Sequence, residues 1–200
     1  MMIGVLDYKY CNSKSVFETL NVLTDDVCYV TDAKQIKNIS KLVIPGVGSA
    51  KVSLDYLKKN GFTEEIVKFV ERGQDILGIC LGMQILFKNL SENGISEGLS
   101  FFESNVEPIS EVSKIKTNIG WRKINMEKKI LEIEDNSFYY FCHSFFVELK
   151  NSEKKYGVAN IAELNKIPAI VNKENIYGFQ FHPEKSQKNG IKLLQNFVNL

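Results

Sequence analysis

The sequence is poor in the residues that hold metals and build disulfide frameworks. It has two histidines, His143 and His182, and four cysteines, Cys11, Cys28, Cys80 and Cys142, among 200 residues. No two of the cysteines form a C-x-x-C pair and the histidines complete no zinc pattern, so neither a metal nor another cofactor is expected. No apolar stretch approaches the roughly 20 residues that a bilayer span requires. The opening MMIGVLDYKYC also lacks the basic segment and long apolar run of a secretory signal. These absences predict a cytoplasmic protein whose thiols stay reduced and free for chemistry. An excess of charge is missing too. The 25 basic and 24 acidic residues leave a formal charge of +1, and Lys and Arg are scattered along the chain. Binding to nucleic acid or to an anionic membrane is therefore not expected. With no internal repeat, low-complexity stretch or Pro- or Ser-rich linker, residues 1–200 read as a single domain long enough to bury a sizeable core.

What is present is an alternation of short apolar runs and helical patterns. Ile3–Leu6, Val27–Val30, Leu42–Ile44 and Ile76–Ile79 read as buried strands. Between them, Ser13–Leu23 carries Val16, Phe17, Leu20 and Leu23 at helical spacing. Thr63 reads as the N-cap of a second helix with Glu64 and Glu65 in its first turn, and Gly73 as its C-terminal glycine. Leu81–Leu90 reads as a third helix. The second half is richer in aromatic and β-branched residues. Phe138–Leu149 and Tyr156–Ala162 read as strands, and Ala169–Val171 and Ile176–Phe181 as a hairpin around Asn172–Asn175. Gly190–Leu200 reads as a closing amphipathic helix. The expected fold is α/β: a central, mostly parallel sheet flanked by helices, with an antiparallel extension in the second half.

The most informative stretch is Gly78-Ile79-Cys80-Leu81-Gly82-Met83-Gln84. Glycines flank the cysteine at i−2 and i+2, where a buried strand turns sharply into a helix. That is the spacing of a nucleophile elbow. It raises the sulfur to a helix N-terminus, where unpaired N–H groups and the helix dipole attract negative charge. The N–H of Leu81 would face an oxyanion formed when the sulfur attacks a carbonyl. A buried structural cysteine is the plain alternative, preferred for Cys11 and Cys28; the glycine spacing favours function at Cys80.

Phe179-Gln180-Phe181-His182-Pro183-Glu184 supplies a base. A strand delivers His182 at its end, Pro183 stops the strand, and Glu184 lies close enough to hold the imidazole tautomer. Pro45-Gly46-Val47-Gly48 follows another strand, and its glycines allow close backbone approach to a ligand. It lacks the third glycine of a dinucleotide fingerprint.

Taken together and in this order, PGVGSA, GICLGMQILF and GFQFHPEKS resemble the class I (triad-type) glutamine amidotransferases. More narrowly, they resemble the glutaminase subunits of imidazole glycerol phosphate synthase. Ile119-Gly120-Trp121, Tyr140–Ser144 and Leu193–Phe197 extend the resemblance over essentially the whole chain. It implies that Cys80 is the nucleophile, His182 the general base and acid, and Glu184 its orienting partner, releasing glutamate and ammonia from L-glutamine through a glutamyl thioester. It implies an oxyanion hole from the backbone of Val47, Gly48 and Leu81, and a glutamine pocket lined by Gln84, His143, Ser144 and Phe145. For His143 a buried, hydrogen-bonded structural role is the competing reading. The resemblance also implies a heterodimer with a (βα)₈-barrel cyclase that receives the ammonia, with Asn12, Trp121 and Lys185 facing it. An ordinary core position is the alternative for Trp121.

Two segments depart from the histidine-biosynthesis pattern. Asp7-Tyr8-Lys9-Tyr10-Cys11-Asn12 stands where the family usually has D-Y-G-x-G-N, and Thr117-Asn118-Ile119-Gly120-Trp121-Arg122 where it has P-H-M-G-W-N. Both belong to the surface that meets the cyclase, so Lys9 and Cys11 imply a changed contact. The alternatives are a paralogue that feeds ammonia to a surface-sugar amidotransferase, a non-catalytic scaffold subunit, and a stand-alone cysteine hydrolase. The intact triad residues argue against a scaffold.

Overall fold

The computed structural model describes residues 1–8 and 11–200, except the side chains of Asn165 and Lys166. Of the changed contact expected at Lys9 and Cys11, Lys9 lies outside the described residues, and Cys11 Sγ donates to Tyr8 O at 3.0 Å. From the N-terminus the chain forms β1 (Ile3–Leu6), α1 (Ser13–Leu23), β2 (Val27–Val30), β3 (Lys41–Ile44), α2 (Ala50–Lys59), α3 (Phe62–Glu71) and β4 (Asp75–Ile79). There follow α4 (Leu81–Gln84), β5 (Phe87–Leu90), β6 (Ser96–Glu97), β7 (Phe102–Pro108), β8 (Asn118–Met126), β9 (Phe138–His143) and β10 (Phe145–Glu148). The chain closes with β11 (Gly157–Ile161), β12 (Leu164–Lys173), β13 (Ile176–Phe179) and α5 (Gln187–Val198).

The apolar runs line up as expected. A nine-stranded sheet has the order β2-β1-β3-β4-β13-β12-β11-β8-β9. Its first five strands pair in parallel and the rest antiparallel, with β12 and β13 forming the expected hairpin. β1 and β3 are buried at every position, as strands covered on both faces must be. Leu42 and Ile44 pack with Leu54, Leu57, Phe62, Ile66 and Phe69 of α2 and α3. Val43 points the other way, into a cluster with Val16 and Leu20 of α1 and Leu193, Leu194 and Phe197 of α5. The period of two along each strand thus feeds two separate cores.

Five segments differ from the sequence reading. Residues 50–59, unassigned from sequence, form α2, and Gly61 with φ of +72° turns the chain straight into α3. That helix starts at Phe62, so Thr63 lies inside its first turn and does not cap it. The expected helix over Leu81–Leu90 stops after Gln84. Phe87–Leu90 is β5, in a second sheet of order β10-β7-β5-β6, with the Phe87 and Phe102 rings stacked at 4.6 Å. A continuous apolar run fits helix and strand alike, and pairing with β7 decides it. Phe138–Leu149 is two strands in different sheets. It breaks at Ser144, whose carbonyl accepts from the N–H of Ile109 at 2.9 Å. The last helix begins at Gln187, three residues earlier than its apolar face suggests.

Candidate active site

Cys80 stands between β4 and α4 with φ of +53° and ψ of −108°. A non-glycine residue there carries roughly 1–3 kcal/mol of strain, and the surroundings must enforce it. They do so by contact: a Cβ on Gly82 would overlap the carbonyl of Ile44, and one on Gly78 the carbonyl of Gly82. The Cys80 N–H donates to Phe179 O of β13 at 2.7 Å, and its carbonyl accepts from Gln84 N at 3.1 Å. Because α4 is four residues long, the expected helix dipole is small. The free N–H groups of a first turn remain, Leu81 foremost.

Beyond β13, His182 is fixed through its backbone. Its N–H donates to Tyr140 O at 2.9 Å, and its carbonyl accepts from Ser186 Oγ at 2.6 Å. His182 Nδ1 meets Glu184 Oε1 at 2.8 Å, and the Glu184 side chain is wholly buried. Burial by itself lowers the His182 pKa. Hydrogen bonds to Cys80 and Glu184, and the charges on both, outweigh it and push the value up to about 10. The imidazole therefore sits between thiol and carboxylate, the arrangement of a nucleophile, a base and its orienter.

The residues expected to line the pocket gather beside this centre. Gln84 Nε2 donates to Phe145 O and to Gln180 Oε1, both at 3.1 Å. His143 has both ring nitrogens engaged, Nδ1 with Phe145 O at 2.8 Å and Nε2 with Asn118 Nδ2 at 3.0 Å. Burial depresses its pKa to about 4, leaving it neutral. These two bonds hold the ring against the Phe145 carbonyl that also accepts from Gln84. Ser144 Oγ bonds Thr117 Oγ1 at 2.9 Å. The 45–48 loop packs on the elbow, since a Cβ on Gly46 would meet Gly82 N and Leu81 Cβ. Val47 and Gly48 are exposed beyond it, Gly48 with φ of +83°.

Trp121 is 40% exposed on β8, so it is not a core tryptophan, and Lys185 is exposed beside Glu184. Asn12 turns inward: its Nδ2 donates to Glu184 Oε1 at 2.9 Å. Motif reading passed over that contact, as it did two others. Tyr8 Oη donates to Pro45 O at 3.3 Å, and Gln180 Nε2 reaches Cys80 Sγ at 3.8 Å. The signal for Gln180 was available: an amide between two phenylalanines in a buried strand must find polar partners. Among the described residues no three His, Cys, Asp or Glu side chains form a metal-binding group, and no helix is long and apolar enough to cross a membrane.

Comparison with known proteins agrees with this geometry. The family model described as "Glutamine amidotransferase class-I" matches residues 5–200. A protein of Caldanaerobacter subterraneus subsp. tengcongensis named imidazole glycerol phosphate synthase subunit HisH is 39% identical over 199 residues, covering 98% of this chain and 97% of its own. The Methanocaldococcus jannaschii protein of the same name is 35% identical over 202 residues, covering 100% of both chains. Among solved structures, a glutamine amidotransferase superimposes with a TM-score of 0.78 at 19% identity, over 100% of this chain and 98% of its own. PurLQS from Thermotoga maritima superimposes with a TM-score of 0.79 at 18% identity, over 99% and 97%. At such identities these two speak for the fold alone. With an elbow cysteine, a buried histidine–carboxylate pair and a family match that spans nearly its whole length, the chain belongs to the class I glutamine amidotransferases.

Proposed function

We propose that the chain, acting as a single glutaminase domain, hydrolyses glutamine and supplies ammonia for imidazole glycerol phosphate synthesis in histidine biosynthesis. The observation that carries this reading is the strained Cys80 elbow beside the His182–Glu184 pair, in a chain whose full-length relatives are named as that synthase's subunit. Cys80 Sγ attacks the carboxamide carbon while His182 holds the thiol proton. The oxyanion is received by the N–H of Leu81 and the backbone of Val47 and Gly48. Collapse of the tetrahedral species returns the proton from His182 to nitrogen and expels ammonia. Water then attacks the glutamyl thioester, His182 takes its proton and passes it to the departing sulfur, and glutamate leaves. Glu184 keeps Nδ1 of the imidazole engaged throughout, so Nε2 serves the sulfur. Gln84, His143, Ser144 and Phe145 line the substrate pocket.

The ammonia passes to a (βα)₈-barrel cyclase in a cytoplasmic heterodimer. An apolar strip supports this reading: Ile119 (56% exposed), Trp121 (40%) and Phe138 (51%) lie on β8 and β9 at the edge of the large sheet, with the cation of Lys185 exposed next to the triad. Large exposed apolar side chains suit an interface core.

The test is glutamate release from glutamine by the purified chain, alone and with the cyclase-type subunit and its ligand, with Cys80→Ala as control. Low turnover alone, a sharp rise with the partner and none in the variant is the expected result. Silence with the histidine-pathway cyclase but turnover with a surface-sugar amidotransferase would replace the acceptor and keep the chemistry. Silence with both would leave a scaffold subunit.

A further inference from the structure

The nucleophile has a neighbour that the triad does not account for. β13 runs parallel to β4 with Phe179 opposite Ile79, so the residue just after each strand brings Gln180 beside Cys80. Gln180 is completely buried between Phe179 and Phe181, where packing alone calls for an apolar side chain. Its amide spans 3.8 Å to Cys80 Sγ and 3.1 Å to Gln84.

The direction of that amide is fixed by its surroundings. The Phe145 carbonyl can only accept, and it already accepts from His143 Nδ1 at 2.8 Å. Gln84 must therefore present its NH₂ group to Phe145 O, and its second N–H goes to Gln180 Oε1. Gln180 is left with its own NH₂ group turned toward the sulfur. Reversing Gln84 would set two acceptors face to face, and reversing Gln180 two donors, in a buried site.

The sulfur thus has two further partners of opposite sense. The carbonyl of Cys142, 3.7 Å away, can accept from a thiol S–H but repels a thiolate. The N–H of Gln180 attracts a thiolate. We propose that Gln180 is a hydrogen-bond donor to the Cys80 thiolate, held in register by Gln84 from the pocket wall. It would stabilise the sulfur anion when Cys80 gives up its proton to His182, and again when sulfur leaves the second tetrahedral intermediate. This rests on the reading of Cys80 as the nucleophile. A purely structural amide would hold β13 to α4 without influencing the sulfur.

Two measurements on Gln180→Met, which keeps the length of the side chain and removes the N–H, separate these roles. The first is the iodoacetamide alkylation rate of Cys80 in the isolated chain at neutral pH, located by mass spectrometry with exposed Cys142 as internal reference. The second is kcat and KM for glutamine with the partner bound. The expected result is a fall of about tenfold in Cys80 alkylation and in kcat, with KM within about twofold and Cys142 unchanged. Equal Cys80 rates in folded wild type and variant would overturn the proposal. Wild-type Cys80 reacting no faster than Cys142 would instead overturn the nucleophile reading. Should Gln180→Met not fold, the ¹⁵N–¹H resonances of the Gln180 side chain carry the test: they move on Cys80→Ala if the bond exists, and unmoved resonances would sink it.

Discussion

Asn12 and Glu184, 172 positions apart in the chain, are joined by a hydrogen bond of 2.9 Å between Nδ2 and Oε1. The same oxygen accepts from His182 Nδ1 at 2.8 Å, so a residue just before α1 shares the carboxylate with the imidazole. The carboxylate is buried and cannot be held by water from outside, so its orientation depends on these two donors. Asn12, expected to face the partner, therefore lies one hydrogen bond from the carboxylate that engages His182.

Asn12→Ala should reduce glutaminase turnover about tenfold without unfolding the chain, because a hydrogen bond to a buried charge contributes about 1.5–3 kcal/mol. Steady-state glutamate release with the partner bound measures this. Wild-type kcat in the variant would show that His182 alone orients Glu184.

Gly82→Ala should fail at the level of folding. The added methyl would overlap the Ile44 carbonyl, a backbone atom that cannot rotate away. Overpacking of this kind exceeds about 3 kcal/mol, and thermal unfolding should show a large drop or no cooperative transition. A variant melting within a few degrees of wild type would mean that the elbow can open.

His143 makes stability fall in acid. Its folded pKa, about 4, lies below the ordinary 6.5 because burial disfavours the charged form. An unfolded chain binds the proton that the folded chain refuses. The contribution is complete above pH 6.5 and is lost as pH falls from 6.5 to 4, by at most about 1.4 kcal/mol per pH unit. His182 has the opposite sign: raised to about 10, its contribution is complete below pH 6.5 and is lost as pH rises toward that value. It therefore leaves the acid limb untouched. Urea midpoints between pH 4.5 and 7 should slope less steeply in His143→Gln than in wild type, and identical slopes would refute the assignment.

Lys41→Met should loosen the C-terminal helix. The Lys41 ammonium, 1% exposed, donates to Phe197 O at 2.9 Å and to Val198 O at 2.8 Å, closing the end of α5. Loss of two charged bonds in a buried setting should destabilise the fold by about 2 kcal/mol and speed hydrogen exchange over Gln187–Val198 first. Exchange that quickens uniformly along the chain would contradict a local clamp.

Trp121→Ala should weaken cyclase binding by at least about tenfold, as loss of an aromatic anchor does, and leave the free chain's melting temperature nearly unchanged. Trp121 meets Tyr140 edge-on at 6.2 Å on an open face, so little packing is lost. Titration calorimetry with the cyclase subunit reads the first effect. Unchanged affinity would place the interface elsewhere.

How far these residues could be read in advance depended on how local their causes are. The elbow was legible because its steric rule is local: Gly78 and Gly82 are needed wherever Cys80 turns from strand to helix. The His182–Glu184 pair was legible for the same reason, being two residues apart on a proline-stiffened turn. Helix α2 and strand β5 were not. The polar surface of α2 hides its pattern, and β5 is a strand only because β7 is there to pair with it.

The sequence by itself determined the two cores, through alternation along β1, β3 and β4, and it determined the pairing of a histidine with a carboxylate two residues on and the glycine-flanked cysteine. The tertiary structure alone decided what surrounds that triad. Gln180 belongs to Cys80 because β13 pairs in parallel with β4, His143 to Asn118 because β9 pairs antiparallel with β8, and Asn12 to Glu184 because the chain before α1 meets the turn after β13. A hydrogen bond acts over about 3 Å and carries no trace of sequence distance, so partners more than a turn apart are fixed only when the sheet assembles.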